Sequence, residues 1–145
     1  MEKLCFLFGH GDTPVTVLPL LREAIAAHYH QYGIRCFVVG HYGGFDRLAA
    51  AALAQQKQLL PDIRLQLLLP YHPAERPVAL PEGFDGSLYP DGMERVPRRV
   101  AVSRANRMLV DLADSLICYA RFPGRASDLL AYARKKPVPL TNLAQ

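Results

Sequence analysis

Three clusters of small, polar and charged residues stand where apolar runs end. They are Gly9-His10-Gly11-Asp12, Gly40-His41-Tyr42-Gly43-Gly44-Phe45-Asp46 and Arg121-Phe122-Pro123-Gly124-Arg125-Ala126-Ser127-Asp128. Glycine lets a backbone pass close to a ligand with its N–H groups turned outward, and a helix opening directly afterwards adds the positive end of its dipole. That chemistry suits phosphate. Arg125, beside Gly124 at the opening of a helix, can add a bidentate contact to an anion. Asp46, near the start of the helix after Gly44, either favours the positive end of that helix's dipole or accepts bonds from ribose hydroxyls or a base. Any strand-to-helix turn favours glycine, so one such loop says little. Three of them converging on one sheet edge point to a ligand site.

The same residues argue for less as catalysts. His10, His41 and His72 follow strands but come from three separate loops, without the spacing of a metal site, and none is expected. His28 and His30 lie two apart on a helix and do not share a face. The chain has no Gly-x-Ser-x-Gly elbow, Walker sequence or Gly-x-Gly-x-x-Gly fingerprint. The residues alone show no reaction and call for no cofactor, and whether the protein is an enzyme stays open. Glu94 and Asp128 are the carboxylates to consider first if there is one.

Apolar runs of strand length alternate with segments of helical period, and these elements must position the loops. Leu4–Gly9, Ile34–Gly40, Ile63–Leu69, Leu116–Ala120 and Val138–Leu140 read as strands. Val15–His30, Phe45–Leu60, Val100–Asp111 and Ala126–Lys135 read as helices. Asp12-Thr13-Pro14 supplies start signals for the first helix, and Gly33 stops it. Buried runs without alternation, separated by helices, predict an α/β fold with a mainly parallel sheet covered on both faces. Ligands of such folds bind beyond the carboxyl ends of the strands, where strand order reverses. The exception is the stretch 71–97. Six prolines fall from Pro70 to Pro97, with Gly83, Gly86 and Gly92 between them, which no long helix can run through. An ordered flap over the sheet edge is expected there.

The 145 residues suit one domain, and half of them are hydrophobic, too many for a disordered chain. No apolar stretch is long enough to span a membrane. Cys5, Cys36 and Cys118 sit inside apolar runs, as reduced thiols do, and the start lacks the layout of a signal peptide, so a cytoplasmic protein is expected. The net charge of +4 favours anionic partners. Arginines crowd the last third of the chain, but the longest basic run is three residues, Arg134-Lys135-Lys136, so compact anions are expected rather than nucleic acid.

At these loops the chain resembles the SLOG superfamily of Rossmann-like proteins, which includes the YpsA-like group, the DNA-processing protein DprA and the Lonely Guy phosphoribohydrolases. The short stand-alone members common in Firmicutes are the nearest in pattern. Their opening Gly-His-Arg-Asp-Thr-Pro is matched by Gly9-His10-Gly11-Asp12-Thr13-Pro14, and their Phe-Asp-Arg after the second strand by Phe45-Asp46-Arg47. Their flap segment is matched by Tyr89-Pro90-Asp91-Gly92-Met93-Glu94-Arg95-Val96-Pro97, and the helix that follows by Ser103 and Asn106-Arg107. The resemblance covers nearly the whole chain. It implies a single domain over 1–145, a three-layer sandwich of about five strands in order 3-2-1-4-5, and a nucleotide or nucleotide-derived ligand over the first and fourth strands. Gly9, Gly11, Gly43, Gly44 and Gly124 would then form a backbone cradle. Arg125, Ser127 and Asn106 would supply contacts, with Asp46 near the ribose or base and His10 and Tyr89 lining the pocket. Gly11 replaces the usual arginine, and Pro123-Gly124-Arg125-Ala126-Ser127-Asp128 keeps only the opening of the phosphoribohydrolase motif, with no glutamate after it. A binding module is therefore the first expectation, an N-glycosidic hydrolase of nucleoside monophosphates the alternative, and a DNA-associated protein the third. Relatives often dimerise through their helices, which makes a homodimer the implied assembly.

Overall fold

The computed structural model describes residues 2–145. The central strands are the continuous apolar runs: β1 (Lys3–Gly9), β2 (Ile34–Val39), β3 (Arg64–Leu68) and β5 (Ser115–Tyr119). With the short edge strands β4 (Gly86–Leu88) and β6 (Leu140–Asn142) they make one sheet in the order β4-β3-β2-β1-β5-β6, parallel at every pairing. Burial on both faces explains why these strands do not alternate with polar residues.

Alternate residues of each strand feed two separate cores. Leu7, Phe37, Val39, Leu65 and Ile117 pack with helices α1 (Leu18–Tyr32) and α2 (Gly44–Leu59) on one face. Phe6, Phe8, Val38, Leu68 and Leu116 pack with α3 (Ala101–Leu112) and α4 (Arg125–Ala133) on the other. The result is the expected three-layer α/β arrangement. The chain runs outward from β1 to β4, then returns to β5 beside β1, so the order reverses at the β1–β5 pair.

Two expectations are corrected. The sheet has six strands, not about five, because the flap contributes β4. Asp85 accepts the Leu65 N–H (2.8 Å) and pairs with Lys57 (2.5 Å), which pins the segment Gly86–Leu88 beside β3; three residues are too few to show a period. The Asp12-Thr13-Pro14 signals do not start the long helix. They lead into a 3-10 turn at Val15–Val17, with the Val17 N–H bonded to the Pro14 carbonyl (3.0 Å), and α1 begins at Leu18 with Pro19 in its first turn. Its end is as expected, at Gly33 with φ 70°.

One polar cluster lies in the α1-side core. His28, fully buried, bonds Ser115 Oγ through Nδ1 (2.8 Å) and Thr141 Oγ1 through Nε2 (2.9 Å), tying α1 to β5 and β6. Burial lowers its pKa to about 4. The folded state therefore binds fewer protons than the unfolded chain between pH 6.5 and 4, and the contribution of neutral His28 is lost as pH falls through that window, about 3 kcal/mol in all. In a His28→Gln variant that dependence should vanish. Urea melts of both proteins at pH 7 and pH 4 test this: the stability gap between them should shrink by about that amount on acidification, and a constant gap would remove His28 as the cause.

Candidate functional site

The strand-end loops are joined backbone to backbone. Gly44 N–H donates to the Gly11 carbonyl (2.8 Å) and Phe45 N–H to the His10 carbonyl (3.2 Å). The approach needs glycine on both sides. A Cβ on Gly9 would sit 2.4 Å from the Phe45 ring, and one on Gly43, which holds φ +131°, would sit 2.8 Å from Gly11 Cα. Thr13 Oγ1 closes the first loop by donating to the His10 carbonyl (2.6 Å).

His10 ties in the third loop. Its N–H donates to the Tyr119 carbonyl (3.2 Å), and its Nε2 accepts from the N–H groups of Arg121 (3.0 Å) and Phe122 (3.4 Å). An imidazole nitrogen that accepts carries no proton, so the ring is neutral with its proton on Nδ1. Burial agrees, holding its pKa below the usual histidine range. The Phe122 ring stacks on it, centroids 3.8 Å apart. Asn142 completes the frame by bonding both the N–H (3.1 Å) and the carbonyl (3.0 Å) of Ala120.

Between these loops and the starts of α3 and α4 lies a cleft of about 310 Å³. It sits at the carboxyl ends of β1, β2 and β3, beside the β1–β5 reversal. Its floor is apolar, from Phe6, Phe8, Leu68 and Leu129; its rim carries His10, Gly11, Asp46, Asn106 and Arg125. Asn106 comes from the α3 stripe that includes Val102, Ala105 and Leu109, the spacing of one helix face. α4 has no side-chain cap, so its first N–H groups are left for water or ligand, whereas α3 continues a 3-10 turn at Arg98–Val100 and its Ala101 N–H donates to the Arg98 carbonyl.

The charged groups of the rim are opposed and unpaired. Asp46 holds the Tyr42 N–H through Oδ2 (2.8 Å), and desolvation raises its pKa to about 6 despite that bond. Arg125 is exposed and makes no ion pair among the described residues. A carboxylate and a guanidinium thus share one cleft without meeting. No group of three or more potential metal ligands occurs among the described residues.

Of the residues singled out in the sequence, Gly9, His10, Gly11, Asp46, Asn106 and Arg125 line this cleft. Gly43 and Gly44 stitch its loops, and Gly124 (φ +154°) precedes the first residue of α4. Four stand apart. Ser127 is spent on the third loop, donating to the Phe122 carbonyl (2.6 Å). Tyr89 packs against the α3–α4 core and edge-on to His72. Glu94 is exposed and lines neither the cleft nor the cavities around it. Asp128 lies beyond the rim, in an adjoining groove. Sequence reasoning missed Tyr42 and Pro70 in the wall, whose only signal was their place after a strand, and Asn142, a polar residue in a terminal strand.

The steric asymmetry between neighbouring glycines is testable. Gly43→Ala should cost about 3 kcal/mol, combining strain at positive φ with a backbone clash. Gly11→Ala should cost under about 0.5 kcal/mol, because a Cβ there meets nothing within 4 Å. Chemical denaturation of the two variants measures this, and equal costs would contradict the stitched geometry. No protein-family model and no curated protein matches the chain, so the chemistry of the site rests on this geometry.

Proposed function

We propose that the cleft binds a nucleotide or nucleotide-derived small molecule. The observation that carries this reading is the pairing across one cleft of a half-buried, unneutralised carboxylate, Asp46, with an unpaired arginine, Arg125, over an apolar floor. A nucleotide has the complementary parts: hydroxyl and N–H donors for Asp46, a phosphate for Arg125, and a flat face for Phe6, Phe8 and Leu68. His10 Nδ1–H, which has no protein partner among the described residues, is a further donor for the anionic end, and the Asn106 amide can bond either end. The resemblance of the loops to the SLOG superfamily supports the same reading.

The N-glycosidic hydrolase reading would need a carboxylate at the bond to be cleaved. Among the described residues, Asp46 is the one carboxylate lining the cleft, and a pKa of about 6 suits a general acid or base close to neutrality. If cleavage occurs, Asp46 carries it rather than Glu94 or Asp128.

Asp46 also yields a prediction with two readouts. Its raised pKa means that the folded state favours the protonated acid, so stability is lost as pH rises through about 4 to 6. At pH 7 the ionised group costs about 2 kcal/mol after allowance for its partial contact with water. Asp46→Asn removes that cost while an amide oxygen can still accept from Tyr42, so the variant should melt several degrees higher at pH 7. It should also lose the thermal shift given by whichever nucleotide stabilises the wild type, and Arg125→Ala should lose it too. A saturating ligand at ~100 times its Kd adds about 2.7 kcal/mol, readily seen. A panel of nucleoside phosphates, cyclic dinucleotides, NAD and ADP-ribose that leaves the wild type unmoved would overturn the reading.

A further inference from the structure

The cleft does not end at Arg125. A second cavity of about 540 Å³ continues from it, sharing Val102, Asn106, Arg125 and Leu129 as common wall. Its character is different. Arg98, Arg99, Arg107 and Arg125 line it against a single carboxylate, Asp128. Arg99 and Arg125 make no ion pair among the described residues. The guanidinium of Arg107 lies over the Tyr132 ring, 4.7 Å from its centroid, a contact that leaves the edge of the fork open for an anion. Arg98 alone is paired, with Glu75 (3.1 Å), and that pair is exposed on both sides. The far wall is Tyr71 from the flap, whose hydroxyl donates to the Arg98 carbonyl (3.0 Å).

With Arg98 taken by Glu75, three arginines outside any ion pair among the described residues, Arg99, Arg107 and Arg125, face one aspartate in a groove entered from the cleft. Only Arg125 is shared with the cleft, so the other two are left for anionic groups beyond the first phosphate. At about 310 Å³ the cleft sits at the lower end of the range for small-molecule sites, enough for a nucleoside and its first phosphate but not for a longer anion. The geometry points to a ligand with two or more consecutive phosphates: the nucleoside lies in the cleft, Arg125 takes the first phosphate at the junction, and Arg99 and Arg107 hold the phosphates beyond it. This rests on the nucleotide reading for its first half, while the groove stands as an anion site by itself.

Calorimetric titration of the whole chain with adenosine and guanosine 5′-mono-, di- and triphosphates, and with inorganic tripolyphosphate, separates the two. In the wild type, affinity for the better nucleoside series should rise about tenfold or more from mono- to triphosphate, the scale of one charge-assisted bond. Arg99→Ala with Arg107→Ala should return the triphosphate to the affinity of the monophosphate and leave the monophosphate unchanged. Arg99→Glu, a single exposed change that does not disturb the Tyr132 contact, should do the same and guards against misfolding of the double variant. Tripolyphosphate should bind the wild type and Asp46→Asn alike, and lose binding in the arginine variants. Equal affinity for mono- and triphosphate, or equal loss of both in the arginine variants, would overturn the polyphosphate groove and leave the nucleotide reading standing. Tripolyphosphate binding without any nucleoside phosphate binding would retain the groove and overturn the nucleotide reading. A single-stranded oligonucleotide that outcompetes the triphosphate at physiological salt would reassign the groove to nucleic acid and so overturn the proposal.

Discussion

The neutral imidazole of His10 is the constraint from which the geometry of the site follows. The main-chain groups of His10 hold the Tyr119 carbonyl and the Phe45 N–H, and its Nε2 holds the N–H groups of Arg121 and Phe122. One residue therefore fixes the loops after β1, β2 and β5 relative to one another. The arrangement tolerates only one protonation state, because an Nε2–H would face two donors instead of accepting from them. Burial beneath the Phe122 ring enforces that state by penalising the imidazolium. The glycines then matter for what they leave out. Without side chains at Gly9, Gly43 and Gly44 the loops close to hydrogen-bonding distance, and the cleft is shaped by backbone that needs no ligand to order it. A pre-formed site avoids the ordering cost that a flexible loop would impose on binding.

Electrostatics across the fold separate structural charges from those at the site. Lys57–Asp85, Arg35–Asp62 and Arg64–Glu2 are paired away from the cleft, where they hold edges together. Asp46, Arg99 and Arg125, which have no partners in ion pairs among the described residues, gather around the cleft and its groove. Asp46 is the costly one. Desolvation acts against its ionised form, and a chain shaped for stability alone would have an amide there. His28 and Asp46 also titrate over overlapping ranges with opposite effect. Acid weakens the fold through His28, which must gain a proton, and strengthens it through Asp46, whose proton relieves a desolvated charge. Bulk acid stability hides both, and only variants resolve them.

Much of this is legible in the residues. Continuous apolar runs such as Leu116–Ala120 announce strands covered on both faces, and the Gly-rich ends of three of them announce the loops that meet. Asp46, Asn106 and Arg125 stand out because residue type and place agree: each lies on a helix at the edge where ligands of this fold class bind. What escapes is set by tertiary contact. Ser127 looks like a free hydroxyl beside Arg125, yet its acceptor is the Phe122 carbonyl in its own loop. Tyr89 follows a strand too short to be seen, and it packs against the α3–α4 core instead of lining the cleft. Val15–Val17 has the period of a helix, but the chain enters a 3-10 turn first and reaches α1 only at Leu18. The groove is half visible: the sequence shows the arginines as a crowd, and only the fold shows Arg98, Arg99, Arg107 and Arg125 lining one space.

The flap gives that space its far wall, so what anchors the flap decides the shape of the groove. Its ion pair, Arg98–Glu75, is exposed and contributes little, on the order of 0–1 kcal/mol. The Arg76 guanidinium over the Tyr71 ring, 4.2 Å from the centroid, is of the same order. The stronger anchors are apolar burial and strand pairing further along the segment. Met93 is buried, and Leu88, Tyr89 and Val96 pack with it against the α3–α4 core, while β4 pairs with β3 under the clamp of Asp85. Tyr71, which itself packs against that core and bonds the Arg98 carbonyl, is therefore positioned by burial and sheet pairing of its segment rather than by the charges it faces. That division leaves Arg99 and Arg107 with no structural duty in holding the flap. Their charge is available to whatever enters the groove, and its removal should be felt by ligand far more than by the fold.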